Sequence, residues 1–127
     1  MKIMDDFDTL QGQWRQVRFE ANGIIDPPDD YGGHGAITTI EGDTFSVRRE
    51  GGEVLLAGHF VLDTTTQPKS ITWIDSMGDD AGKRLPASYV LDDDQFLFIA
   101  ADEGMAQPTA FVTSPGLTLR GFVRHRP

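Results

Sequence analysis

Leu10-Gln11-Gly12-Gln13-Trp14 is the stretch on which the reading of this chain turns. A glycine two residues ahead of a tryptophan, close to the N-terminus, predicts a turn that feeds a first strand. The Trp14 indole is bulky enough to stop one end of a barrel. Upstream, Phe7 and Leu10 have a helical spacing, which predicts one helical turn within Asp5 to Gln13, capping that same end. Downstream, Trp14 to Glu20 reads as a strand with Val17 and Phe19 on one face. Trp14 has the opposite parity, so either a bulge intervenes or Trp14 belongs to the turn.

The remainder alternates short apolar runs with turn residues. Asn22-Gly23 is a hairpin turn signal. Asp26 to Gly35, with two prolines and three glycines, is the longest stretch without periodicity and reads as a loop, either a lid or a solvated crossover. Ala36 to Glu41 and Thr44 to Arg49 form a hairpin around Gly42-Asp43. Val54 to Leu62 places Leu56, Phe60 and Leu62 on one face and His59 on the other. Lys69 to Asp75 carries Ile71 and Trp73 in phase, and Leu85 to Leu91 puts Leu85, Ala87, Tyr89 and Leu91 together. Gln95 to Ala101, Thr109 to Thr113 and Leu117 to Arg124 complete the series. About eight or nine strands joined by tight turns predict an all-β fold, an antiparallel up-and-down barrel. Closure also removes exposed strand edges. No linker or repeat divides the chain, so residues 1–127 are expected to form a single barrel domain.

Composition narrows the chemistry. There is no cysteine, which removes disulfides and thiolate chemistry and fits a reducing compartment. The formal charge of −9 opposes binding to nucleic acid. Met1 to Leu10 holds Asp5, Asp6 and Asp8 without the apolar core of a secretory signal, and no run is long enough to span a membrane. The expectation is a cytoplasmic protein that binds neither nucleic acid nor membrane.

An ordered series of segments resembles a known family. It comprises Leu10-Gln11-Gly12-Gln13-Trp14, Asn22-Gly23, Ile40 to Phe45, Gly58 to Asp63, Pro68 to Trp73, Tyr89 to Asp94, Pro108 to Phe111 and Pro115-Gly116. Together these resemble the lipocalin-like (calycin) barrels, and more closely a bacterial family of small lipocalin-like domains abundant in planctomycetes. The chain departs from that pattern at Gln107, where an arginine is expected, and at Ala87-Ser88, where Gly-Ile is expected. The resemblance implies that an arginine of the last strand packs over the entry tryptophan. Arg124 is the candidate, with Arg126 and Arg120 behind it, so that Gly12, Trp14 and Arg124 form a structural plug. It implies no catalytic residue.

The residue patterns add little reactive chemistry. His34, His59 and His125 are far apart and lack metal-ligand spacing, so neither a metal nor haem is expected, and no cofactor. Acidic clusters at Asp26/Asp29/Asp30, Asp79-Asp80, Asp92-Asp94 and Asp102-Glu103 fall at turns, where aspartate bonds its own backbone. No nucleophile elbow or phosphate cradle is present. The aromatic residues remain. Phe60, Trp73, Tyr89, Phe98 and Phe111 are the candidate ligand-binding set, with Tyr89 as the polar handle. Phe96 to Ile99 is apolar on both faces, so its outer side needs a loop, a terminus, a protein partner or a second copy of the chain.

Three functional readings follow. The first is a non-enzymatic module holding a small apolar or amphiphilic ligand in the barrel mouth. The second is an acidic protein-interaction module, an inhibitor or regulator of a basic partner, with a filled lumen. The third is a barrel isomerase or cyclase, which needs an acid or base inside the lumen, and the sequence displays none.

Overall fold

A computed structural model describes residues 5–28, 35–49 and 51–126. One short helix, α1 (Asp6–Leu10), precedes nine strands: β1 (Gly12–Ala21), β2 (Ile24–Ile25), β3 (Ile37–Glu41), β4 (Thr44–Arg48), β5 (Val54–Asp63), β6 (Ser70–Asp75), β7 (Arg84–Leu91), β8 (Gln95–Ala101) and β9 (Leu117–Arg124). From β3 to β9 each strand pairs antiparallel with the next, and β1 pairs with both β3 and β9. That double pairing closes an eight-stranded barrel, compatible with a lipocalin-like fold. The two-residue β2 extends β1 through the Asn22-Gly23 turn, whose φ values of 54° and 83° suit the twist of a tight hairpin.

Two expectations need correction. Val17 and Phe19 do not share a face. Trp14 lies within β1, and the register against β9 slips between Gln16 and Arg18. The extra residue restores the inward direction for Phe19, which is buried, and turns Val17 out, 44% exposed. Nor is Thr109 to Thr113 a strand. With β9 already paired to β8 and β1, no ladder is left for another strand among its neighbours, and the segment from 102 to 116 crosses without regular structure. It lies instead along the outside of the barrel. Ser88 is fully buried, donates to the Pro108 carbonyl and accepts from Gln107 Nε2 at 2.9 Å. In register opposite Ser88 is Ile99, also fully buried. The chain's own loop therefore covers the part of the Phe96–Ile99 wall next to Ser88. Ser88 and Gln107, nineteen residues apart, thus bond to each other.

The helix closes one end of the barrel. Asp5 caps it by accepting from the Asp8 amide at 2.9 Å, and Leu10 at its last turn is fully buried. The Trp14 indole, also fully buried, donates to the Leu10 carbonyl at 2.8 Å. Arg124 lies with its guanidinium carbon 4.0 Å from the Trp14 ring centre. The same guanidinium donates to the carbonyls of Thr9 and Gln11, each at 2.6 Å. Those carbonyls belong to the helix end, where no intrahelical donor reaches them and the helix dipole is negative. Gly12 has a φ of 115°, and a Cβ there would come within 3.0 Å of Arg124 Nη1. The Gly-x-Trp spacing thus leaves room for the arginine. Gln11 adds a bond pair to the backbone of Gly42 at 2.7 and 3.0 Å, fastening the helix to the β3–β4 turn.

Replacing Arg124 with alanine removes one cation–π contact and three charge-assisted bonds, those to the Thr9 and Gln11 carbonyls and a third from Nε to the Asp93 carbonyl at 3.1 Å. A loss of about 3 kcal/mol is expected, read as a lower urea midpoint with unchanged slope. Arg124→Lys should recover less than half, because an ammonium cannot stack and fork at once.

Candidate functional site

With α1 over one end, the lumen divides into a filled half and an open half. Phe60 packs toward the helix, its ring 6.3 Å from Phe7. Tyr89 is also at this end. Its hydroxyl donates to Asp6 Oδ2 at 2.7 Å, and Lys69 Nζ reaches the same oxygen at 3.0 Å. Burial pushes the Asp6 carboxyl upward, but the Tyr89 and Lys69 donors and the Lys69 charge outweigh it and hold it below the usual carboxylate range. Burial, and then the Asp6 carboxylate, push the Tyr89 phenol well above its ordinary value. Tyr89 is therefore a neutral donor spent on the helix, and it is not the polar handle of the mouth.

At the opposite end lies a cavity of about 190 Å³. Its apolar walls include Phe45, Trp73, Phe96, Phe98, Phe122, Val47, Leu56 and Leu85. Trp73 is central, with ring centroids 5.0 Å from both Phe45, edge-on, and Phe98. Its indole nitrogen is buried and has no hydrogen-bond partner among the described residues. Of the aromatic residues singled out in the sequence, Trp73 and Phe98 line this space, whereas Phe60 and Tyr89 line the plugged end. Phe111 is half-buried on the outer loop and does not reach the cavity wall. Gly12, Trp14 and Arg124 lie together at the plug.

Polar groups ring the outer part of the cavity: Gln16, Thr38, Asp75, Asp80, Asp102, Thr118 and Arg120. Arg120 sits 4.2 Å over the Phe19 ring and donates to Gln16 Oε1 at 2.9 Å. Asp75 ends β6 and is only 8% exposed. It shares the inward parity of Ile71 and Trp73, so strand alternation alone points it into the lumen. Opposite it in register is Gly58, where a Cβ would lie 2.2 Å from the Ile74 carbonyl oxygen and 2.9 Å from Phe45 Cε1. The glycine lets β5 and β6 close tightly around the Phe45 ring, fixing Asp75 at the rim of the aromatic box. Burial, and then the neighbouring Asp80 charge, push the Asp75 carboxyl up to about 6, with Arg120 opposing them. The lumen thus holds an internal acid that the sequence reading did not pick out.

His59 is exposed on the outer face of β5, and His34, Asp29 and Asp30 lie outside the described residues. The His125 ring nitrogen meets Arg15 Nη2 at 3.1 Å. Among the described residues no three His, Cys, Asp or Glu side chains converge as a metal site would require. Outside the barrel a groove of about 310 Å³ runs past Val17, Val90 and Leu97, which takes up the outer side of Leu97. No described helix is long and apolar enough to cross a membrane. In comparisons with family models, curated proteins and solved structures, nothing matches this chain.

Asp75 supplies a signed pH dependence. Its folded pKa of about 6 lies above the unfolded value near 4, so the folded chain binds the extra proton. The resulting penalty is complete above pH 6 and vanishes as the pH falls toward 4. Asp75→Asn should therefore stabilise the fold by on the order of 2 kcal/mol at pH 7.5 and by nothing near pH 4. Urea titrations at the two pH values check this, and an equal gain at both would trace the effect to packing instead of charge.

Proposed function

We propose that this protein is a non-enzymatic binding module that holds a small apolar or amphiphilic molecule in the open end of its barrel. The observation that carries this reading is the aromatic cavity of about 190 Å³ at the end away from α1. A cavity of about 150 Å³ lined by apolar side chains accepts benzene, while drug-sized ligands occupy roughly 300 Å³ or more. The guest that fits is one ring or a short branched chain with a polar group at the rim. An acidic interaction module with a filled lumen has less support, because the lumen is open. The carboxyl of Asp75 meets one requirement of a barrel isomerase, but a proton transfer also needs a partner group across the substrate. The nearest candidate, Arg120, is engaged by Phe19 and Gln16. The ordered segments and the barrel together support membership of the bacterial lipocalin-like family, and a cytoplasmic location accords with the acidic, cysteine-free chain.

Toluene should bind at one saturable site by calorimetry, and a long-chain fatty acid should not enter the lumen. Ala100, buried on the cavity wall, is the position to fill. Ala100→Leu should weaken toluene binding by about tenfold or more while the chain stays folded. If neither toluene nor ring compounds bearing one polar group bind, the reading is wrong.

A further inference from the structure

We propose that the cavity selects a small organic ammonium ion, with its apolar body against Trp73 and Phe98 and its cationic head at the Asp75 carboxylate. This rests on the binding-module reading and adds the charge of the guest. Among the described residues, three carboxyl groups, Asp75, Asp80 and Asp102, line the outer part of the cavity against one guanidinium, that of Arg120, which also engages the Phe19 ring and Gln16. Among the described residues no hydrogen bond supports the Asp75 carboxylate, so near neutral pH it is a nearly buried anion that lacks donors. An ammonium head supplies both the missing charge and up to three donors. The aromatic walls behind it attract cations through their ring faces. An anionic guest would face three carboxylates, and a neutral hydrocarbon would leave Asp75 unsupported. Among the described residues these acids do not converge as metal ligands would.

The neighbours of Asp75 set its pH response. The turn after β6 brings Asp80, whose Oδ1 accepts from Lys83 Nζ at 3.2 Å. From β9 comes Arg120, from β5 only Gly58 in register, with His59 pointing outward, and from β7 the exposed Arg84. Carboxylate neighbours resist ionisation of Asp75 and a bound cation favours it, so affinity for the ammonium falls as the pH drops through about 6.

Benzylamine and benzyl alcohol, nearly equal in shape, separate the proposal from the reading beneath it. At pH 7.5 benzylamine should bind about tenfold or more tightly than benzyl alcohol. At pH 5 that advantage should shrink by about tenfold, and in Asp75→Asn it should disappear, while benzyl alcohol changes by less than about twofold. Equal affinity of the two compounds in the unaltered protein would overturn the ammonium proposal and leave the binding module standing. A pH-independent preference for benzylamine, or one retained in Asp75→Asn, would also overturn it, and binding of neither compound would remove both. The comparison in the unaltered chain stands whether or not the variant folds.

Discussion

The guanidinium of Arg124 is the contact through which the barrel and its plug become one structure. It sits 4.0 Å over the Trp14 indole and forks to the carbonyls of Thr9 and Gln11, so one cation satisfies the end of the helix and covers the face of the plug. Its strand, β9, is also the strand that closes the barrel against β1. Closure and capping are therefore coupled: the pairing of Trp14 with Arg124 in the β1–β9 register sets both. Gly12 follows from the same geometry, because any side chain there would meet the guanidinium.

From that end the lumen fills outward. Phe96 and Phe122 stack at a centroid distance of 5.5 Å, and Phe96 lies 5.8 Å from Trp14, so aromatic packing runs from the plug into the middle of the barrel. Beyond Trp73 the inward side chains become shorter or polar: Val47, Ala100, Thr118, Asp75. This gradient leaves the space at the far end. The Tyr89–Asp6–Lys69 cluster and the Asp75–Asp80 cluster show how surroundings decide the state of a carboxyl. Two donors, one of them the cation Lys69, hold Asp6 ionised, whereas burial beside another acid opposes ionisation of Asp75.

Much of the wall could be read from residue order. The Asn22-Gly23 and Gly42-Asp43 turns, and the alternation through Leu56, Phe60, Ile71 and Trp73, mark hairpins by local rules that need no knowledge of the rest. Thr109 to Thr113 misled because its alternation satisfies the same rules, while its lack of a ladder is a property of closure elsewhere in the chain. Strand alternation turns Tyr89 into the lumen, but nothing local reveals that its hydroxyl donates to Asp6, 83 residues away. Asp75 was legible by parity with Trp73. Composition hides it, because aspartates of this acidic chain cluster at turn signals, and whether the last residue of a strand turns inward depends on the tight closure at Gly58.

A barrel sealed at one end is a cup, and a cup limits what is dipped into it, not what stays outside. The small volume between Phe98 and Asp75 sets the size of an inserted group only. If the proposed guest sits with its nitrogen at the rim, bulk carried on that nitrogen trails outside, so a ring joined through its amine to a much longer molecule meets the same walls as a free one. If the proposed guest enters this cup, the plug at α1 makes it leave by the end at which it came in.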